Sequence, residues 1–135
     1  MSTLISLSIA EVAEQTGLTA HTLRYYERDG LMLAAVDRST AGHRRYSPRD
    51  VGWITLITKL RSTGMPIREV KKYAALVRAG HGNEAERLEL LKAHRDRVEH
   101  QLAEVTSHLR AIDHKIGLYE GQVEQALDLE RAQSR

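Results

Sequence analysis

The stretch SIAEVAEQTGLTAHTLRYYERDGL, residues 8–31, decides the fold. Ser8 followed by Glu11 is a capping box, in which each side chain accepts a hydrogen bond from the other residue's backbone N–H. Ile9, Val12 and Ala13, with Leu18 beyond, supply one apolar face, so a short helix is expected from about residue 9 to Gln15, ended by Gly17. Thr19 caps a second helix through about Arg28, with Leu23 and Tyr26 facing inward. Ala20, His21, Thr22, Arg24 and Tyr25 are left for other surfaces. Adjacent positions on a helix diverge by about 100°, so of Tyr25 and Tyr26 one packs and the other faces outward. Two short helices joined by a Gly-containing turn form the helix-turn-helix pattern.

From Gly30 to Tyr46 the helical period is lost, and Arg38, Arg44 and Arg45 flank an Ala-Gly step at 41 and 42. This reads as a small hairpin, a wing. Ser47 as cap, Pro48 at the first helical position and Asp50 in the first turn then open a third helix, which carries Val51, Ile54, Leu56, Ile57 and Leu60 and ends near Gly64. Pro66 opens a fourth, with Ile67, Val70, Ala74 and Val77, which stops before the Gly-His-Gly break at 80–82.

Asn83 with Glu86 caps the last element. Leu88, Leu91, Arg95, Val98, Leu102, Val105, Leu109, Ile112, Ile116 and Tyr119 alternate at three and four residues, a heptad stripe whose one charged member is Arg95. Arg95 is open to two readings, a register device or a partner for Glu99. A stripe roughly 50 Å long cannot be buried by so small a domain. It needs a partner helix, most simply from a second copy. All of its apolar members, Leu88, Leu91, Val98, Leu102, Val105, Leu109, Ile112, Ile116 and Tyr119, are therefore candidate dimerisation residues. Gly117 and Gly121 weaken the helix near its end, and residues 122–135 are expected to be a frayed polar tail.

The expected architecture is mainly α. A winged helix-turn-helix domain (1–80) precedes a dimerisation helix (81–121) and the tail (122–135). At 135 residues with 4% aromatics and no Phe, the chain has room for one small aliphatic core but not for a large catalytic scaffold. Without cysteine it has no thiolate nucleophile or thiolate metal site. No phosphate-binding glycine loop or carboxylate pair suggests an enzyme, and no cofactor is implied. No run is apolar enough for a membrane span, so a cytoplasmic location is expected. Among the seven histidines, His94, His100, His108 and His114 fall at outer heptad positions without an i, i+4 pair, which favours surface residues over a metal site.

Charge is divided along the chain. Residues 1–82 carry 12 Lys or Arg against 7 Asp or Glu, and residues 83–135 carry 8 against 11. The front suits a polyanion and the back does not. On the second helix, small Ala20 and Thr22 permit close approach to a duplex, while His21 and Arg24 can donate to base edges or phosphates and Tyr25 offers a hydroxyl. Arg44, Arg45 and Tyr46 of the wing would hold flanking backbone.

With GHRRYSPRDVGWITLITKLRSTGM at 42–65 and PIREV at 66–70, the opening stretch resembles the MerR family of transcription regulators over about residues 7–80. The Thr-Leu-Arg-Tyr-Tyr-Glu block at 22–27 and the Arg-Arg-Tyr-Ser wing exit at 44–47 carry the resemblance most specifically. Tyr-Ala-Ala-Leu at 73–76, His94-Arg95 and Ile-Asp-His-Lys-Ile at 112–116 are similar to the small aldehyde- and thiol-stress-responsive branch. The resemblance implies a homodimer joined by an antiparallel coiled coil and bound to a palindrome in double-stranded promoter DNA. It also implies bending and untwisting of an overlong promoter spacer so that RNA polymerase engages both elements. Deforming the duplex costs on the order of several kcal/mol, recoverable through added phosphate contacts.

The departures concern sensing. Metal-sensing relatives have cysteines about the dimerisation helix, and the aldehyde-responsive ones have a reactive cysteine six residues past the Trp, where this chain has Lys59. Thiolate adduct chemistry is excluded. A lysine there can form a Schiff base only with a lowered pKa, and a solvated or DNA-flanking lysine is the plainer reading. Ala34 and Ala35 replace paired prolines of the wing, and Pro66 replaces a serine cap. Trp53 is read as packing. The effector stays unknown. An alternative reading is a coiled-coil interaction or architectural protein with only nonspecific DNA affinity, which competition with unrelated duplex would distinguish.

Overall fold

Two serines start helices by the same device. In the computed structural model, which describes residues 6–134, the Ser8 hydroxyl accepts from the Glu11 N–H at 3.2 Å and the Glu11 carboxylate accepts from the Ser8 N–H at 2.9 Å. Ser47 and Asp50 repeat this exchange at 3.1 and 2.9 Å. Each box stands where a strand hands over to a helix. The order is β1 (Leu7–Ser8), α1 (Ile9–Thr16), α2 (Ala20–Arg28), β2 (Asp37–Arg38), β3 (Arg44–Tyr46), α3 (Pro48–Ser62), α4 (Ile67–Arg78) and α5 (Glu84–Gln133). Residues 1–5 and 135, at the outer ends of the expected domain and tail, lie outside the described residues.

The turn between α1 and α2 rests on Gly17, whose φ of 75° is a conformation that a side chain disfavours. Thr19 caps α2 by accepting from the Thr22 N–H at 3.0 Å. The expected wing is the β2–β3 hairpin, in which Asp37 opposes Arg45 and Arg38 opposes Arg44. Gly42 closes its turn at φ 83°, donating to the Ser39 carbonyl at 2.9 Å. One strand was not foreseen. Leu7 and Ser8 pair antiparallel with Tyr46 and Arg45, so the sheet runs β1-β3-β2 and ties the start of α1 to the wing.

Helices α1–α4 pack around Val12, Leu23, Tyr26, Ile54, Ile57 and Val70, all buried. Leu23 and Tyr26 face inward as expected, and Tyr25 is half-buried at the edge of this core. Trp53 is packing, stacked on Tyr73 at 5.7 Å between centroids.

The connector leaving α2 is held carbonyl by carbonyl. Arg78 Nη1 of α4 donates to the carbonyls of Gly30 (2.7 Å) and Met32 (2.9 Å), and Trp53 Nε1 of α3 donates to that of Leu31 (2.7 Å). Lys71 lies 3.4 Å from the Asp29 carboxylate. Irregular backbone beside a core needs such partners, because an unpaired buried carbonyl costs about 1–3 kcal/mol. Arg78→Ala is expected to destabilise the domain by about 1 kcal/mol, a fall in Tm of roughly 4–8 °C. Thermal melting followed by the fluorescence of Trp53 checks this. An unchanged Tm would show that water replaces the guanidinium without loss.

The start of α5 belongs to this same unit, which extends to His94 rather than stopping at the expected residue 80. Asn83, expected as the cap, donates its side-chain amide to the Leu76 carbonyl at 2.8 Å and accepts from Arg87 Nε at 2.6 Å. Leu90 and Leu91 pack against the core. Leu91, on the opening turns of α5, is thus partly covered within the first unit. His94 is corrected. It is buried, not on the surface, with Nε2 2.8 Å from Thr63 Oγ1. The same threonine oxygen lies 2.9 Å from the Lys59 carbonyl and 3.1 Å from that of Leu60.

The second unit, Arg95–Arg135, contains the remainder of α5. The helix runs to Gln133, and residues 122–133 are not the frayed tail expected. Gly117 and Gly121 sit within it, each costing about 1 kcal/mol relative to Ala, and the Glu-, Gln-, Leu- and Ala-rich segment around them favours helix. The apolar stripe continues accordingly through Val123 and Leu127. Arg95 Nε is 3.5 Å from Glu99 Oε1, the surface-pair reading of that residue.

Candidate nucleic-acid interface

Helix α2 buries Leu23 and Tyr26 and turns His21 and Arg24 outward, both exposed. Ala20, Thr22 and Tyr25 are half-buried. The Thr22 hydroxyl accepts from Thr19 Oγ1 at 3.0 Å, so it belongs to the cap as well as to the outward face. The rings of Tyr25 and Tyr26 are 6.2 Å apart.

Beside Arg24 opens a cleft of about 320 Å³ between the start of α1 and the wing, lined by Ser8, Ile9, Ala10, Ser39, Gly42, His43 and four arginines, Arg24, Arg38, Arg44 and Arg45. Four arginines line one concave surface, and so many cationic side chains together suit an oligoanion. Three of the expected residues, Arg24, Arg44 and Arg45, are thus brought together about one cleft. Arg38 and His43 join them. Their signal in the sequence was the basic character of the hairpin, but its register decides which side chains line the cleft.

The arginines differ in what holds them. Arg45 donates from Nε to Ser6 Oγ (3.1 Å) and from Nη2 to the Ser6 carbonyl (2.7 Å), neutral partners that fix the side chain. Arg44 donates from Nε to a carboxylate oxygen of Glu27 on α2, and Arg38 Nη2 lies 3.7 Å from the other oxygen. Hydrogen bonds from Ser8 hold the Glu11 carboxyl below its usual range, so at neutral pH it is ionised and its cap intact.

Tyr46 is not at the surface. Its side chain is 1% exposed, in the core beneath the wing, and its hydroxyl makes no hydrogen bond. The position alternates to the inner face of β3, opposite its neighbour Arg45. Burial, and then the nearby Glu27 carboxylate, push its phenol above the usual range, so it stays neutral. Tyr46→Phe is expected to leave stability unchanged or raise it by up to about 1 kcal/mol, since it removes an unpaired buried hydroxyl. DNA affinity should not change. A tenfold loss in a binding titration would return Tyr46 to the interface.

Comparison with known proteins decides the family. The signature described as MerR HTH family regulatory protein matches residues 7–76, and that described as MerR, DNA binding matches residues 51–115. The chain belongs to the MerR family. It is 33% identical to an HTH-type transcriptional regulator of Haemophilus influenzae over 116 residues, 86% of this chain and 85% of that one. It is 40% identical to the regulator AdhR of Bacillus subtilis over 92 residues, 68% of this chain and 65% of AdhR. Among solved structures it is similar to HiNmlR, a MerR family regulator lacking the sensor domain, bound to promoter DNA, with a TM-score of 0.77, 33% identity, and 86% and 91% of the two chains covered. This MerR-family chain is a DNA-binding transcription regulator, not an enzyme. No helix among its described residues is long and apolar enough to cross a membrane. It has no cysteine, and Lys59 is exposed on α3.

Proposed function

We propose that the chain acts as a homodimer that binds a palindromic promoter operator sequence-specifically and bends and untwists it, setting how RNA polymerase engages the promoter in the cytoplasm. The observation that carries this reading is the apolar stripe of α5. Leu102, Val105, Leu109, Ile112, Ile116 and Tyr119 are each at least 50% exposed in the single chain. A contiguous apolar face of this length is far beyond what a soluble monomer leaves open, and a second copy offers the same heptad pattern in return. Val98, half-buried, and Leu88 extend the stripe toward the first unit. An antiparallel pairing of the two copies agrees with the resemblance.

In a symmetric dimer the two α2 helices would meet successive major grooves about one helical turn apart. Ala20, His21, Thr22, Arg24 and Tyr25 would face the groove or its edges, and Arg44 and Arg45 the adjoining phosphates. Phosphate contacts fix register and base contacts select sequence. The rigid wing and capped helices supply what duplex deformation requires, fixed contacts whose gain offsets several kcal/mol of bending. Sedimentation of the chain with a palindromic duplex and with a single half-site tests the reading. Two chains on the palindrome with much weaker half-site binding is the expected result. One chain on each would refute it.

A further inference from the structure

Beside the cleft, Glu27 has the wrong sign for a DNA interface and holds two of its arginines. Glu27 lies on α2, one turn beyond Arg24, and its carboxylate reaches both strands of the wing, bonded to Arg44 Nε on β3 and 3.7 Å from Arg38 Nη2 on β2. The side chains of Glu27 and Arg44 are only 22% and 24% exposed, against 47% for Arg38. Partial burial weakens solvent screening, so the pair holds better than a surface ion pair. Two of the four cleft arginines therefore share one carboxylate, and that carboxylate repels phosphate.

We propose that Glu27 is a specificity-determining residue, which restrains Arg44 and Arg38 from nonspecific phosphate contacts and releases them when α2 is seated on its cognate site. Nonspecific affinity is almost wholly phosphate neutralisation, whereas specific affinity adds base contacts from α2. A carboxylate that occupies the wing arginines lowers the first more than the second. Its place on the reading helix gives the coupling a route, since α2 carries both Arg24 and the group that holds the wing. The inference rests on the cleft's being the DNA interface.

The test compares the full chain with Glu27→Gln, which keeps size and loses charge. Binding to an unrelated duplex and to a palindromic operator selected from random duplexes is measured across a salt series. For Glu27→Gln, affinity for the unrelated duplex at about 0.15 M salt should rise roughly 3–10-fold, and the slope of log K against log salt should steepen by about one to two. Operator affinity should rise less, so the specificity ratio falls. An unchanged slope, or weaker binding to the unrelated duplex, would overturn the proposal and leave Glu27 as a brace for the wing. If the wild-type chain binds neither duplex with salt dependence, the DNA reading of the cleft fails, whatever Glu27 does. Should the variant not fold, the Arg44 Hε resonance of the wild-type protein decides. It is expected to shift on adding operator but not unrelated duplex, and equal behaviour with both would overturn the proposal.

Discussion

Replacing Leu102 and Leu109 together with Asp is expected to convert the protein to a monomer and to lower operator affinity by about two to three orders of magnitude, the gain from linking two modules. Both leucines are exposed in the single chain, at 64% and 53%, and both lie in the second unit. In a paired helix each would be buried against its counterpart, where an ionised carboxylate costs several kcal/mol. The double substitution should therefore remove association while the DNA-binding unit melts as before. Analytical ultracentrifugation with a matching operator titration checks this, and a full-strength dimer would refute the heptad assignment.

Arg24→Ala should do the opposite. It is expected to abolish discrimination between operator and unrelated DNA at the bases that Arg24 reads and to leave the dimer intact. Arg24 is exposed on the outward side of α2 and lines the cleft, so its truncation leaves no hole in the core. A bidentate arginine contact to a base is worth about 1–3 kcal/mol of discrimination, roughly 10–100-fold. Affinity for unrelated duplex should fall much less. A footprint unchanged in position and strength would remove Arg24 from the reading face.

What was legible in the sequence follows from the range of the interactions involved. Ser8 with Glu11, Thr19, Ser47 with Asp50 and the Pro at 48 act within three residues, so the helix starts could be read directly. The hairpin followed from Gly42 and the loss of helical period. The β1 strand did not, because two residues carry no alternation and only pairing with Tyr46 and Arg45 makes them a strand. Tyr46 was misplaced for the same reason. Among Arg44, Arg45 and Tyr46 only the register decides which side chain turns into the core. His94 falls at an outer position of the pattern counted along α5, but packing on the first unit buries it over the opening turns. The expected break after Gly121 underrated the surrounding helix formers, which carry α5 to Gln133. The Arg78 and Glu27 bonds join residues 46 to 48 and 11 to 17 positions apart, beyond any local motif.

Competition binding tests the central claim most directly. The full chain is titrated against a palindromic duplex recovered by selection, at about 0.15 M salt, with unrelated duplex as competitor. The account predicts two chains per duplex and a specificity ratio of about 10³ or more. A ratio near one, or a single chain per palindrome, would contradict it.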